Sequence, residues 1–219
     1  MPESLVMEIR EYPGLVQYVH KLDHGELILN RMSPGCDLPM HRHDEAQFGF
    51  ALAGGFDLFV DSNTAPPRRI EGGGAYSLEP WVTHGARLEG DHPIHTLDVK
   101  IRPPEGTPSF IVPARFLEGR FSHHPWGTWE VFGPFPWGLC SRFRFKAGNR
   151  LPETLDQGLP GKPTESFVLI QTSDQTSNQP SDPDSPWELL PLEEAWPRPE
   201  THYPKTVILI TIFKRKKQA

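Results

Sequence analysis

Through the first hundred residues, short apolar runs alternate with clusters of Gly, Pro, Asn and Asp. Leu15 to His20, Glu26 to Met32, Gln47 to Leu52, Phe56 to Val60, Gly74 to Leu78 and Thr96 to Ile101 are each too short for a helix and are bounded by turn residues, which predicts strands. Six short strands at regular spacing predict a barrel or sandwich, and no segment shows convincing helical amphipathicity. The last apolar run, Val207 to Phe213, reads as a final buried strand, because a bilayer span needs about twenty residues.

Arg102 to Gly106 carries two consecutive prolines, which no central strand continues through, so a boundary is placed there: an N-terminal module over 1–104 and a second over 105–219. Gly25 to Pro39 and Gly138 to Pro152 share Gly, Arg, Gly, Leu and Pro at a constant offset of 113, a faint internal duplication. At that offset His41 and His43 fall on Thr154 and Asp156; with five residues inserted, Gln47 and His84 fall on Glu165 and His202. Any metal site in the second module is therefore expected to be lost. Residues 172–186 form a polar, Pro-containing insertion with nothing to bury, expected to be exposed and mobile.

Composition narrows the function. Twenty-five prolines and nineteen glycines among 219 residues fit an all-β chain, and 37% hydrophobic residues still allow a sizeable core at this length. A formal net charge of −6 gives no reason to expect nucleic acid binding, and the one basic run, Lys214 to Lys217, reads as a solvated tail. Cys36 and Cys140 form no redox or zinc motif. With no basic-then-apolar leader at the N-terminus, a cytoplasmic protein with no membrane contact is expected. Five of the six tryptophans lie in the second half. They read as apolar packing; a wall of the first site or a homodimer face are the other uses.

The chemistry concentrates between Gly35 and His84. His41 and His43 are two apart, so on a strand both imidazoles point to one face. Gln47 has the same parity, and His84 follows Pro80 at the place where a second hairpin closes a site. A lone His is more often a hydrogen-bonded core residue; four potential ligands at this spacing point to a metal centre.

Gly35, His41-x-His43, Gln47, Gly54, then Gly74, Pro80 and His84 together resemble the paired motifs of the cupin family, which are small jelly-roll barrels. The longer run Asp37 to Leu58, with Gly74 to Pro80 and His84 to Ala86, is similar to one branch, the bicupin isomerases of bacilysin and aeruginosin biosynthesis, in which Gln replaces the usual Glu. The resemblance covers residues 25 to 103. It implies an all-β bicupin with a degenerate second module. It also implies one divalent metal per chain, held by His41, His43, Gln47 and His84, with Fe, Co, Ni, Zn, Mn and Cu all compatible.

The activity it implies moves a double bond of a prephenate-derived dihydro-4-hydroxyphenylpyruvate from exocyclic to endocyclic position. The implied partner is therefore a small 2-oxo acid. The ligand chemistry agrees: three imidazoles and an amide leave the ion its full charge to stabilise an enolate. A Glu at position 47 would be the better ligand, so Gln47→Glu is expected to keep or raise affinity while slowing isomerisation. Lys100 and Arg102 are candidates to pair with a substrate carboxylate, Tyr76 and His95 to act as acid or base, and Trp81 and Phe50 to touch a cyclic substrate. His123 and His124 read as surface residues. A cupin dioxygenase, using the same histidines and consuming oxygen, is the first competing reading. A non-enzymatic sensor is the second, although no partner helix or DNA-binding segment accompanies it.

Overall fold

The computed structural model describes residues 7–61, 66–102, 114–135, 138–145, 163–171, 187–191 and 206–213, and among them every regular element is a strand. Chain contacts separate a first unit, Val6–Glu118, from a second built from Gly119–Ala219.

The first unit holds β1 (Glu8–Tyr12), β2 (Leu15–Leu22), β3 (Gly25–Met32), β4 (Asp37–His41), β5 (Ala46–Ala53), β6 (Phe56–Val60), β7 (Arg68–Ile70), β8 (Ala75–Leu78), β9 (His84–Arg87), β10 (Ile94–Ile101) and β11 (Ala114–Leu117). A seven-stranded sheet runs β1-β2-β3-β10-β5-β8-β11 and a four-stranded sheet runs β4-β9-β6-β7. Leu15, Met32, Ala51, Tyr76 and Ile94 of the larger sheet cluster with Phe56, Leu58, Ile70 and Ala86 of the smaller, which makes the pair a jelly roll with one shared core. All six strands expected in this half are present. The unit extends past the prolines at 103–104, where the sequence places its boundary, because β11 pairs with β8 from Ala114↔Leu78 to Leu117↔Ala75.

Alternation assigns the faces of the large sheet. On β10, Thr96, Asp98 and Lys100 point one way and Leu97, Val99 and Ile101 the other; cross-strand partners place Asn30 and Gln47 beside the first set and Leu29 and Phe48 beside the second. Leu27, Leu97, Val99 and Phe48 are fully buried on that second face. With both faces covered, β10 is buried along nearly its whole length, and Asp98 is a carboxylate buried within it.

Among the described residues the second unit repeats the larger sheet, with β12 (Arg120–His124), β13 (Gly127–Phe135), β14 (Gly138–Phe145), β15 (Pro163–Gln171), β16 (Trp187–Pro191) and β17 (Thr206–Phe213) in the order β12-β13-β14-β17-β15-β16. That order matches β1-β2-β3-β10-β5-β8 strand for strand, and β14 is β3 displaced by 113 residues. The expected final strand from Val207 is β17.

Register corrects one detail. Gln47 pairs with Lys100 and Lys100 with Glu26, while in the second unit Leu139, the counterpart of Glu26, pairs with Thr211 and Thr211 with Ser166. The counterpart of Gln47 is thus Ser166 rather than Glu165, and one residue of register reverses the face. By the same chain Asn30 corresponds to Phe143 and Asp98 to Leu209, and Trp129 stands opposite Phe143, as Gln17 does opposite Asn30. Trp129 and Phe143 stack with centroids 5.8 Å apart, an apolar pair at positions that are polar in the first unit. Thr154, Asp156, His202 and the insertion 172–186 lie outside the described residues.

Candidate metal centre

His41 closes β4 and His84 opens β9, and the two are cross-strand partners. His43 follows two residues beyond the end of β4. Their ring centroids are 4.4 Å apart for His41 and His84, 5.1 Å for His43 and His84 and 6.0 Å for His41 and His43; one ring nitrogen from each lies within 4.8 Å of the others.

The backbone decides which nitrogen that is. Nδ1 of His41 lies 3.0 Å from the Pro39 carbonyl, Nδ1 of His43 2.9 Å from that of Glu45, and Nδ1 of His84 2.9 Å from that of Val82. A carbonyl only accepts, so each Nδ1 carries the proton and each Nε2 presents its lone pair. Burial lowers the affinity of the His84 imidazole for a second proton to about pKa 3, and burial with the neighbouring Lys100 charge lowers that of His43. Both rings therefore stay neutral at physiological pH, the state a metal ligand requires.

Gln47 on β5 approaches one of these rings. Its Oε1 stands 3.1 Å from His43 Nε2, two acceptors facing each other with no hydrogen between them in this tautomer. Convergent lone pairs of this kind suit a cation, so the residues present fit the metal that the motif implies.

Behind Gln47 lies a buried polar network that sequence reading missed. Gln47 Nε2 donates to Asp98 Oδ1 (3.0 Å) and to the Tyr76 hydroxyl (3.2 Å), and Tyr76 donates to the same carboxylate oxygen (3.1 Å). Asn30 donates to Asp98 Oδ2 (2.7 Å) and to Thr96 Oγ1 (3.0 Å), and accepts from Gln17 (2.8 Å). Burial raises the pKa of both Asp98 and Tyr76. The sequence signal for Asp98 is faint but real: a carboxylate between Leu97 and Val99 on β10, with the parity of Lys100.

A cavity of about 570 Å³ opens beside the centre, lined among others by His41, Gln47, Tyr76, His84, Asp98 and Lys100. The other expected site residues divide. Tyr76 and Lys100 face the cavity, and the Lys100 charge acts on His43, His84 and Asp98. Arg102 is engaged outside it by Asp44 (3.0 Å) and Glu45 (3.3 Å). His95 has the parity of Leu97, away from the cavity, and Phe50 sits on the same opposite face, fully buried across from Leu97. Neither His95 nor Phe50 is placed to meet a substrate in this cavity, because strand alternation sends them to the other side of the sheet. His123 is exposed as expected, while His124 is half-buried and stacks on Trp126.

Trp81 is 62% exposed and adopts φ +66°, a left-handed conformation that bulky residues rarely hold. Its N–H donates to the His43 carbonyl at 2.8 Å, tying the segment before His84 to the one carrying His43.

The cupin domain family matches residues 29–100, the stretch that carries the three converging histidines and Gln47. Among individual proteins, the chain is 31% identical over 87 residues to the H2HPP isomerase of Bacillus subtilis; the match covers 40% of this chain and 36% of that protein, little more than a third of its length. The fold of nearly the whole chain is shared with AerE from Microcystis aeruginosa (TM-score 0.65, 13% identity, 96% of this chain and 99% of that one). It is shared also with GK1651 from Geobacillus kaustophilus (TM-score 0.63, 10% identity, 100% and 98%). Among the described residues no helix is long and apolar enough to cross a membrane.

Proposed function

We propose that this chain is a metal-dependent isomerase that moves a double bond of a dihydro-4-hydroxyphenylpyruvate-like 2-oxo acid through an allylic 1,3 proton shift, in the biosynthesis of a natural product. The observation that carries the reading is the convergence of three imidazole Nε2 atoms and Gln47 Oε1 beside a cavity that also holds a cation, Lys100. The likeness to H2HPP isomerase supplies the substrate class.

His41, His43, Gln47 and His84 would hold one divalent ion, which when bound supplies Lewis acidity toward a chelated oxo acid. Lys100 pairs with the substrate carboxylate, a role Arg102 cannot share while Asp44 and Glu45 hold it outside the cavity. Tyr76, kept protonated by burial and by Asp98, to which its hydroxyl donates, holds the Gln47 amide in place, and water in the cavity takes the proton that leaves the substrate and gives one back. One proton leaves and one returns, so the reaction needs neither oxygen nor a redox cofactor.

Metal-loaded protein mixed with freshly prepared dihydro-4-hydroxyphenylpyruvate is expected to shift its ultraviolet absorbance at the same rate with and without oxygen. Oxygen uptake in step with turnover would replace this reading by a dioxygenase. Lys100→Met is expected to raise KM roughly 10- to 100-fold, the worth of one charge-assisted hydrogen bond, with a smaller change in kcat. An unchanged KM would remove Lys100 from the substrate site.

A further inference from the structure

We propose that Asp98 is a positioning residue that selects glutamine at position 47 and fixes which end of its amide faces the metal centre. The inference rests on the metal-centre reading above and deepens it.

An amide side chain is ambiguous by itself, because its two ends differ little in size and flip readily. Here the surroundings remove the ambiguity. Both N–H bonds of Gln47 are taken, one by Asp98 Oδ1 and one by the Tyr76 hydroxyl, which leaves Oε1 directed at His43 Nε2. Flipping the amide would set Oε1 against a carboxylate oxygen and NH2 against the ligand position, losing both contacts.

Asp98 is itself held in place. Its Oδ2 takes Asn30 Nδ2, and Asn30 is oriented in turn, since its own oxygen accepts from Gln17 and its second N–H goes to Thr96. Donation therefore runs in one direction, from Gln17 through Asn30 to Asp98, with Tyr76 and Gln47 donating from the other side. The carboxylate is the common acceptor of the whole network.

A carboxylate at position 47 breaks this order. It would bring a second carboxylate to within about hydrogen-bond distance of the buried Asp98, where the pair either repels or takes up a proton, and both states disturb the ligand position. On this proposal Gln47→Glu weakens metal binding, where the sequence alone led to the expectation of equal or better affinity. Combining Gln47→Glu with Asp98→Asn, by contrast, leaves every group satisfied. The amide now at position 98 donates to the Tyr76 hydroxyl and to the carboxylate now at position 47, Tyr76 donates to that carboxylate, and the amide oxygen accepts from Asn30. The carboxylate then stands next to the metal and the amide behind it.

The test uses the full chain with Gln47→Glu, Asp98→Asn and the double replacement. It reads the thermal midpoint without metal, and Co(II) binding by visible absorbance. Each single replacement is expected to weaken Co(II) binding by about 10- to 100-fold, the usual effect of disturbing the group behind a ligand, with Gln47→Glu also lowering the metal-free midpoint by several degrees. The double replacement should recover both readings to near the parent values, a rescue that two independent structural losses cannot produce. If Gln47→Glu is as stable as the parent and binds Co(II) equally well, or if the double replacement shows the sum of both losses, the proposal is overturned. Should Gln47→Glu not fold, a soluble double replacement supports the proposal. If that too fails, Co(II) binding by Asp98→Asn decides, an unchanged affinity overturning it. A parent that binds no Co(II) removes the metal reading alone, and the metal-free midpoints still report whether Asp98 selects Gln47.

Discussion

His43→Ala is expected to strip the protein of most of its divalent metal. His43 supplies one of three Nε2 lone pairs, and it is the ring that Gln47 Oε1 faces at 3.1 Å, so its removal takes one ligand and leaves a second without its neighbour. Outer contacts to a ligand are worth about 10–100-fold in affinity, and loss of a ligand should exceed that range. Elemental analysis after dialysis should give one equivalent per chain for the parent and a small fraction of one for the variant. His123→Ala, at an exposed position on β12, should retain the parent value. Equal loss from both would move the centre away from the first module.

Gly49→Ala should be among the most damaging single-methyl additions in the chain. Gly49 lies opposite Tyr76 on β8 and opposite Asp98 on β10, and a Cβ there would land on Cζ, Cε1 and the hydroxyl of Tyr76. The ring cannot simply retreat: it is buried, sits edge-on to Phe56 and holds Gln47 and Asp98 through its hydroxyl. Overpacking of this kind costs about 1–3 kcal/mol, and each lost hydrogen bond adds roughly 1 kcal/mol. The urea midpoint should fall accordingly, and metal affinity should fall with it because Gln47 loses a partner. Alanine tolerated at both readings would mean that Tyr76 can be accommodated elsewhere.

What could be read from the chain beforehand follows the range of the interactions involved. Six strands of the first unit were legible because punctuation by Gly and Pro is local, and the His41, His43, Gln47 and His84 set was legible because a motif fixes both spacing and parity. β4, which leads to His41, is only five residues long and carries Pro39 at its centre, so strand propensity does not mark it. The Asp98 network was hidden because its members lie on five strands, and nothing short of the register β2-β3-β10-β5-β8 brings Gln17, Asn30, Asp98, Gln47 and Tyr76 together. Residue type also misled. Phe50 and His95 have the chemistry of site residues, but strand alternation turns them away, and Arg102 is held by two carboxylates that no motif links to it. The offset of 113 found β14, whereas the insertion before β15 shifted one residue further than alignment of identities suggested.

Position 81 separates two jobs that most residues perform together. The tie from Trp81 to the His43 carbonyl is made by main-chain atoms, so it survives any replacement except proline, while the indole stands 62% exposed and takes no part in it. The side chain there can drift, enlarge or shrink at little cost to the ligand geometry, and residues that accept a left-handed backbone, such as Gly and Asn, would relieve local strain. Related proteins can therefore change the exposed side chain at this position while inheriting an undisturbed centre.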